Sequence, residues 1–235
     1  MIRISEIFGP TVQGEGPLIG KPTVFVRTGG CDYRCAWCDT LYAVLPKYSS
    51  QWAPMMSVEI LDRVKELTSG APILVTISGG NPAMHDLEPL IETGQKDGFT
   101  FAMETQGSLP RDWFGKLDWL FLNLKPPSSG EEVDWSKFEA CIAAGEGSTM
   151  VIKLTIFDEP DYQFAKSVGN DFPQFPVYLQ VGNPTYVDEK VDFPDLKAEL
   201  MERYRWLVDL AAQDRWFTPT ILPQLHVLAW GEDRG

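Results

Sequence analysis

Three cysteines fall within one ten-residue stretch, CDYRCAWCDT, at positions Cys31, Cys35 and Cys38. Thiolates are soft ligands that select zinc, copper(I) or iron–sulfur clusters. Three crowded together with no obvious fourth predict a metal centre with one position left open, and hence a catalyst rather than a scaffold. A structural zinc site needs four closed ligands, and the only histidines, His85 and His226, lie far from the cysteines in sequence. An iron–sulfur cube normally takes four cysteines as well, so a cube on three has one iron for an external ligand. Zinc that recruits a histidine through the fold is the competing reading, and it makes the chain a zinc-stabilised binding module.

The elements that must position this cluster alternate along the chain. Strands are predicted at Thr23–Arg27, Ile73–Ser78, Thr100–Glu104, Trp119–Asn123, Met150–Ile156, Val177–Val181 and Leu222–Leu228, several of them apolar on both faces. Helices are predicted at about Ser57–Thr68, His85–Thr93, Trp135–Ala144, Asp161–Val168 and Leu196–Ala212, with Ser57 as a cap, Glu59 in the first turn and Gly70 beyond the end. Alternation of this kind predicts an α/β fold of right-handed βαβ units. The stretch between Glu104 and Trp119 is short of a helix, which favours an incomplete, opened (β/α) barrel. Arg27, Ser78, Glu104, Asn123 to Lys125 and Gln180 all end strands on one rim, the edge where parallel α/β folds carry ligands.

Bulk properties narrow the class. With 235 residues and 44% hydrophobic content the chain can bury a substantial core. It has no run of eighteen apolar residues for a membrane span. The start, MIRISEIFGP, lacks the regions of a signal peptide, so a cytoplasmic enzyme is expected, where clustered cysteines bind metal or do chemistry. Cys141, within WSKFEACIAAG, is expected to be a buried apolar residue. A net charge of −13 without a basic stripe disfavours nucleic acid, although Arg27, Lys125 or Lys153 can build a local anion site.

The cysteine spacing, with Trp37 before the third cysteine, resembles the signature of the radical S-adenosylmethionine (SAM) superfamily. SGGNP (Ser78 to Pro82) after ILVTI, and ETQGS (Glu104 to Ser108) after TFAM, fit its SAM-contacting segments. More discriminating are EIFGPTVQGEG, KPTVFVRTGGCDYRCAWCDT, KPPSSG and LPQLHVLAWG, which together resemble the 7-carboxy-7-deazaguanine synthase family. The resemblance runs from residue 6 nearly to the end.

That resemblance implies a radical SAM barrel of about six core parallel strands with helices outside, in one domain over residues 1–235. A hairpin segment, residues 1–21, would contribute to the substrate site. It implies a 4Fe-4S cluster on Cys31, Cys35 and Cys38, with SAM on the open iron. SAM would be contacted around Trp37, Cys38 and Asp39, by Gly79 and Gly80, by Glu104 at the ribose, and by Asn123, Leu124 and Lys125. The implied reaction turns 6-carboxy-5,6,7,8-tetrahydropterin into 7-carboxy-7-deazaguanine with loss of ammonia, on the route to queuosine and related 7-deazapurines. A deoxyadenosyl radical initiates it and SAM is regenerated.

Val12, Gln13, Gly14, Glu15, Arg27, Ser78, Gln180 and His226 become substrate candidates. Gln13 and Glu15 offer the donors and acceptors that a pterin edge requires, Gly14 lets a ring approach backbone, and Arg27 can pair with a carboxylate. Without the resemblance, the same residues read as a polar turn and a rim salt bridge. Thr40 resembles the family's Mg²⁺ ligand, with substrate and water supplying the remaining oxygens. One departure stands out: Asn123-Leu124-Lys125 replaces the family's frequent Ser-Pro-Lys. A flavodoxin or ferredoxin as electron donor and a homodimer are expected by analogy. A glycyl-radical activating enzyme, which shares the cysteine spacing, is the alternative that QGEG and QLH argue against.

Overall fold

In the computed structural model, residues 1–183 and 195–231 are described. The chain begins with β1 (Ile2–Val12), which runs antiparallel to β2 (Pro22–Thr28). A four-residue helix α1 (Leu41–Val44) and β3 (Ala53–Met55) follow, β3 pairing antiparallel with the start of β1. Then come α2 (Ser57–Thr68), β4 (Leu74–Gly79), α3 (Glu88–Lys96), β5 (Thr100–Thr105) and β6 (Trp119–Leu124). The remainder is α4 (Trp135–Ala144), β7 (Thr149–Ile156), α5 (Glu159–Asp171), β8 (Val177–Val181), α6 (Leu196–Gln213), β9 (Thr220–Leu222) and α7 (Leu225–Trp230). The strand order β3-β1-β2-β4-β5-β6-β7-β8-β9 leaves the ends unpaired with each other, so the sheet is an open barrel wall.

From β2 through β9 every pairing in that order is parallel. Side chains on both faces of the wall are buried, as with Val75 and Ile77 beside Thr76, and Leu120 and Leu122 beside Phe121. The outer face packs on amphipathic helices: α2 buries Ile60, Leu61 and Val64, and α5 buries Tyr162, Ala165 and Val168. On the inner face Leu74, Ala102, Phe121 and Val151 form a small apolar floor that Leu18 plugs. Side chains alternate along a strand. Two residues beyond that floor the inner face therefore carries Glu104, Asn123 and Lys153, and four beyond it Ser78.

Several boundaries differ from expectation. Ser57 is the first helical residue of α2, not its cap; Glu59 reaches back to accept from the Met56 N–H at 2.6 Å. α3 starts at Glu88, after His85, and between β5 and β6 there is only a short 3₁₀ turn, Asp112–Lys116. The expected strand Leu222–Leu228 is mostly α7, because Pro223 cannot donate to a ladder and ends β9 at Leu222. β1 escapes pattern reading because its register shifts twice, between Ile4 and Glu6 and between Phe8 and Thr11, which scrambles the apolar alternation.

Candidate functional site

The three cysteines lie half-buried in the loop between β2 and α1, and none is in a disulfide. Burial pushes the Cys35 thiol up to about 11 and raises Cys31 and Cys38 in the same sense. A metal that takes them as thiolates must displace their protons. Two neighbouring strand ends tether the loop. Asp32 accepts hydrogen bonds from Asn81 at 2.8 Å, Gln106 at 2.7 Å and Ser108 at 2.6 Å, and Gln106 Nε2 is also 3.6 Å from Cys31 Sγ. Thr105 donates to Asn81 Oδ1 at 2.8 Å, which orients that amide.

Gly79 and Gly80 have a tighter role than expected. A Cβ on Gly80 would stand 2.0 Å from the Gly30 carbonyl oxygen, and one on Gly79 (φ 136°) would stand 2.3 Å from that of Thr28. Their freedom lets β4 press against the base of the cysteine loop. His85 does the same from the other side, with Nε2 3.0 Å from the Gly29 carbonyl oxygen and its pKa lowered by burial.

The third cysteine is braced through Trp37. Its indole donates to Ser128 Oγ at 2.9 Å, and Ser128 is held by the buried Asp161 through its hydroxyl at 2.6 Å and its N–H at 2.9 Å. Lys125 lies over the Trp37 ring, 5.3 Å from its centroid. Asp39 is exposed, and Thr40 Oγ1 is 3.8 Å from Cys38 Sγ. Leu124 points into the core, so only its backbone faces the rim.

Inside the barrel mouth, Lys153 is fully buried and its ammonium is shared between Glu15 and Glu104, the latter at 2.7 Å. Gln224 donates to the other Glu15 oxygen at 2.7 Å, and Asn123 Nδ2 lies 3.4 Å from Glu104. Burial alone would raise the Glu15 pKa, but Lys153 and His226 outweigh it and hold it at about 2. The bare Cα of Gly14 makes room for His226, whose Nδ1 would be 2.3 Å from a Cβ there. Val12 ends β1 opposite Pro22. Arg27 donates through Nε to Glu6 at 2.6 Å, and Tyr42 donates to the same oxygen at 2.7 Å. Arg27 is thus held in place by a rim salt bridge.

Around this ion cluster, buried amide atoms stand without hydrogen-bond partners among the described residues: Gln13 Nε2, Asn123 Oδ1, Gln224 Oε1, and both Nε2 and Oε1 of Gln180. Native proteins rarely tolerate such atoms, because each costs its full desolvation. So many in one mouth mark a place for a ligand rich in donors and acceptors.

Full-length comparisons agree with the motifs. A 7-carboxy-7-deazaguanine synthase of Bacillus cereus is 38% identical over 236 residues, covering 100% of this chain and 98% of its own length. One from Bacillus subtilis is 40% identical over 242 residues, again covering 100% and 98%. The chain belongs to the 7-carboxy-7-deazaguanine synthase family. No family model matches it. In fold it is similar to QueE from Escherichia coli, at a TM-score of 0.66 and 23% identity over 96% of this chain and 94% of that one. It is also similar to Streptococcus suis SuiB bound to S-adenosylmethionine, at a TM-score of 0.54 and 13% identity over 85% of this chain and 47% of that one.

As a 7-carboxy-7-deazaguanine synthase family member the chain is a radical SAM enzyme, and its residues fit the implied cofactors. Both histidines have other neighbours, His85 with Nε2 on the Gly29 carbonyl oxygen and His226 packed beside Gly14. Three thiols on one loop, with no fourth cysteine beside them in sequence, suit a cube with one open iron. Asp32, Asn81, Gln106, Ser108, Asp161 and Gln224 escape the sequence reading as site residues, and Lys153 enters it only as part of a local anion site. The motifs did contain a signal for five of them, since Asp32, Asn81, Gln106, Ser108 and Gln224 all lie inside quoted segments.

Proposed function

We propose that this chain converts 6-carboxy-5,6,7,8-tetrahydropterin to 7-carboxy-7-deazaguanine with loss of ammonia, as one cytoplasmic catalytic domain over residues 1–235. The observation that carries the substrate class is the set of partnerless buried amides on Gln13, Asn123, Gln180 and Gln224 around Glu15. A pterin offers a ring edge of alternating N–H, amine and carbonyl groups, which is what such a set requires.

Cys31, Cys35 and Cys38 would hold the cluster and the Gly79–Gly80 rim, Glu104, Asn123 and Lys125 would hold SAM; together the pair supplies hydrogen-atom abstraction. Glu15, kept ionised by Lys153, accepts from the amine edge of the pterin. Arg27, fixed by Glu6 and Tyr42, meets the substrate carboxylate, while Gln180, Ser78 and His226 fix ring orientation. Asn123 keeps an amide where the family often has serine, and its Oδ1 is available to SAM or substrate. Thr40 would give Mg²⁺ one oxygen, with substrate and water completing the shell. The electron would come from a flavodoxin or ferredoxin, and the enzyme would act as a homodimer.

The test is the mass of the product after anaerobic turnover of iron-reconstituted protein with SAM, reductant and the carboxytetrahydropterin. A product lighter by ammonia supports the reading. Deoxyadenosine formation only in the presence of a polypeptide partner would sink it.

A further inference from the structure

Lys153 stands in the middle of β7 with its side chain fully buried, in the run VIKLTI that is otherwise nearly all apolar. An unpaired ammonium there would be prohibitively costly. It is balanced by two carboxylates from distant parts of the chain, Glu15 in the QGEG segment and Glu104 at the end of β5. The second carboxylate is more than neutrality requires. Each carboxylate also has a neighbouring amide: Gln224 at 2.7 Å on Glu15, and Asn123 at 3.4 Å on Glu104. Both amides keep a partnerless oxygen, Gln224 Oε1 and Asn123 Oδ1.

We propose that Lys153 is a positioning residue that couples the two ligand sites, so that SAM and the pterin each strengthen binding of the other. The inference rests on the reading above, in which Glu15 faces the pterin and Glu104 the ribose of SAM. The physical reason is that one ammonium serves both carboxylates in a low-dielectric interior, so neither can reorient without altering the other's partner. A pterin that hydrogen-bonds Glu15 fixes Lys153, and through it Glu104, in a single arrangement. SAM then meets a carboxylate already ordered, and its binding costs less. Linkage makes the effect reciprocal.

The test uses cluster-reconstituted protein, kept anaerobic with the cluster oxidised so that no turnover occurs. SAM affinity is measured by equilibrium dialysis with and without the carboxytetrahydropterin, and pterin affinity with and without SAM. The expectation is a gain of about fivefold or more, equal in both directions. In Lys153→Met, and in Glu104→Gln, the gain falls to about onefold. A merely structural role would weaken both affinities and leave their ratio unchanged. Lys153→Met leaves two buried carboxylates without their cation and can fail to fold; the wild type and Glu104→Gln then decide. Wild-type protein that binds both ligands independently, or variants that keep the wild-type gain, would overturn the coupling alone. Wild-type protein that binds SAM but not the pterin overturns the substrate reading, and the coupling with it.

Discussion

Gln106 Nε2 donates to Asp32 Oδ1 at 2.7 Å, and the same nitrogen is 3.6 Å from Cys31 Sγ. One amide thus joins the end of β5 to the first cysteine and to the residue after it. With Asn81 and Ser108 on the same carboxylate, Asp32 is the knot that ties the cysteine loop to the barrel rim.

Asp32→Ala should therefore loosen the loop. Hydrogen bonds to a charged group contribute about 1.5–3 kcal/mol, and the exposure of Asp32 to solvent brings the expected loss to about 1–2 kcal/mol in total. Iron bound per chain after reconstitution should drop, with Asp32→Asn intermediate. Full iron content in the alanine variant would show that the loop holds its shape without the knot.

Gly80→Ala places a methyl where the Gly30 carbonyl oxygen already stands, 2.0 Å away. Backbone on both sides cannot yield cheaply, so a loss of at least about 2 kcal/mol is expected, together with loss of the cluster. Gly70→Ala is the control: at φ 79° with nothing within 4 Å of a Cβ, it carries only backbone strain, about 1–2 kcal/mol. Urea midpoints of the two variants measure the difference.

Gln180→Leu removes two buried, partnerless polar atoms. The ligand-free protein should be as stable as the wild type or more so, by up to about 1 kcal/mol. Pterin binding should weaken at least tenfold, at about 1.4 kcal/mol per decade. A variant that loses stability instead would mean that the amide has a partner in the free protein.

The pH dependence of stability follows from Glu15. Its folded pKa of about 2 lies below the ordinary value of 4.5 for a free glutamate. A depressed carboxylate stabilises the fold above its unfolded pKa, and that contribution is lost as pH falls through the folded value. The cluster-free protein should therefore lose a few kcal/mol from this group between about pH 4.5 and pH 2. Urea titrations of wild type and Glu15→Gln should diverge in their slope only within that window.

Thr40→Ala tests the proposed Mg²⁺ ligand. Turnover should fall about tenfold or more and respond less to added Mg²⁺, while the absorbance of the cluster is unchanged. Loss of the cluster would assign Thr40 to the loop, where its hydroxyl lies 3.8 Å from Cys38 Sγ.

Local patterns were legible. The limits of α2, α4 and β8 coincide with the sequence expectation, because their signals, amphipathic period and short apolar run, lie within the element itself. β1 and α7 were not legible, since two register shifts and one proline undo the same kinds of pattern. Arg27 is the instructive intermediate case. It was singled out as a carboxylate partner, and it lies on the rim, but Glu6 and Tyr42 hold it there.

The amino-acid sequence by itself determined the open cysteine trio, the α/β alternation and the family, because spacing and motif are local properties of the chain. Only the tertiary structure decided what Lys153 and Glu15 do. They are 138 residues apart, and a lysine in an apolar strand carries no mark of its partners until the sheet curves around it. Folding seats the Lys153 ammonium in an apolar interior, where Glu15 and Glu104 together offset the cost of burying it.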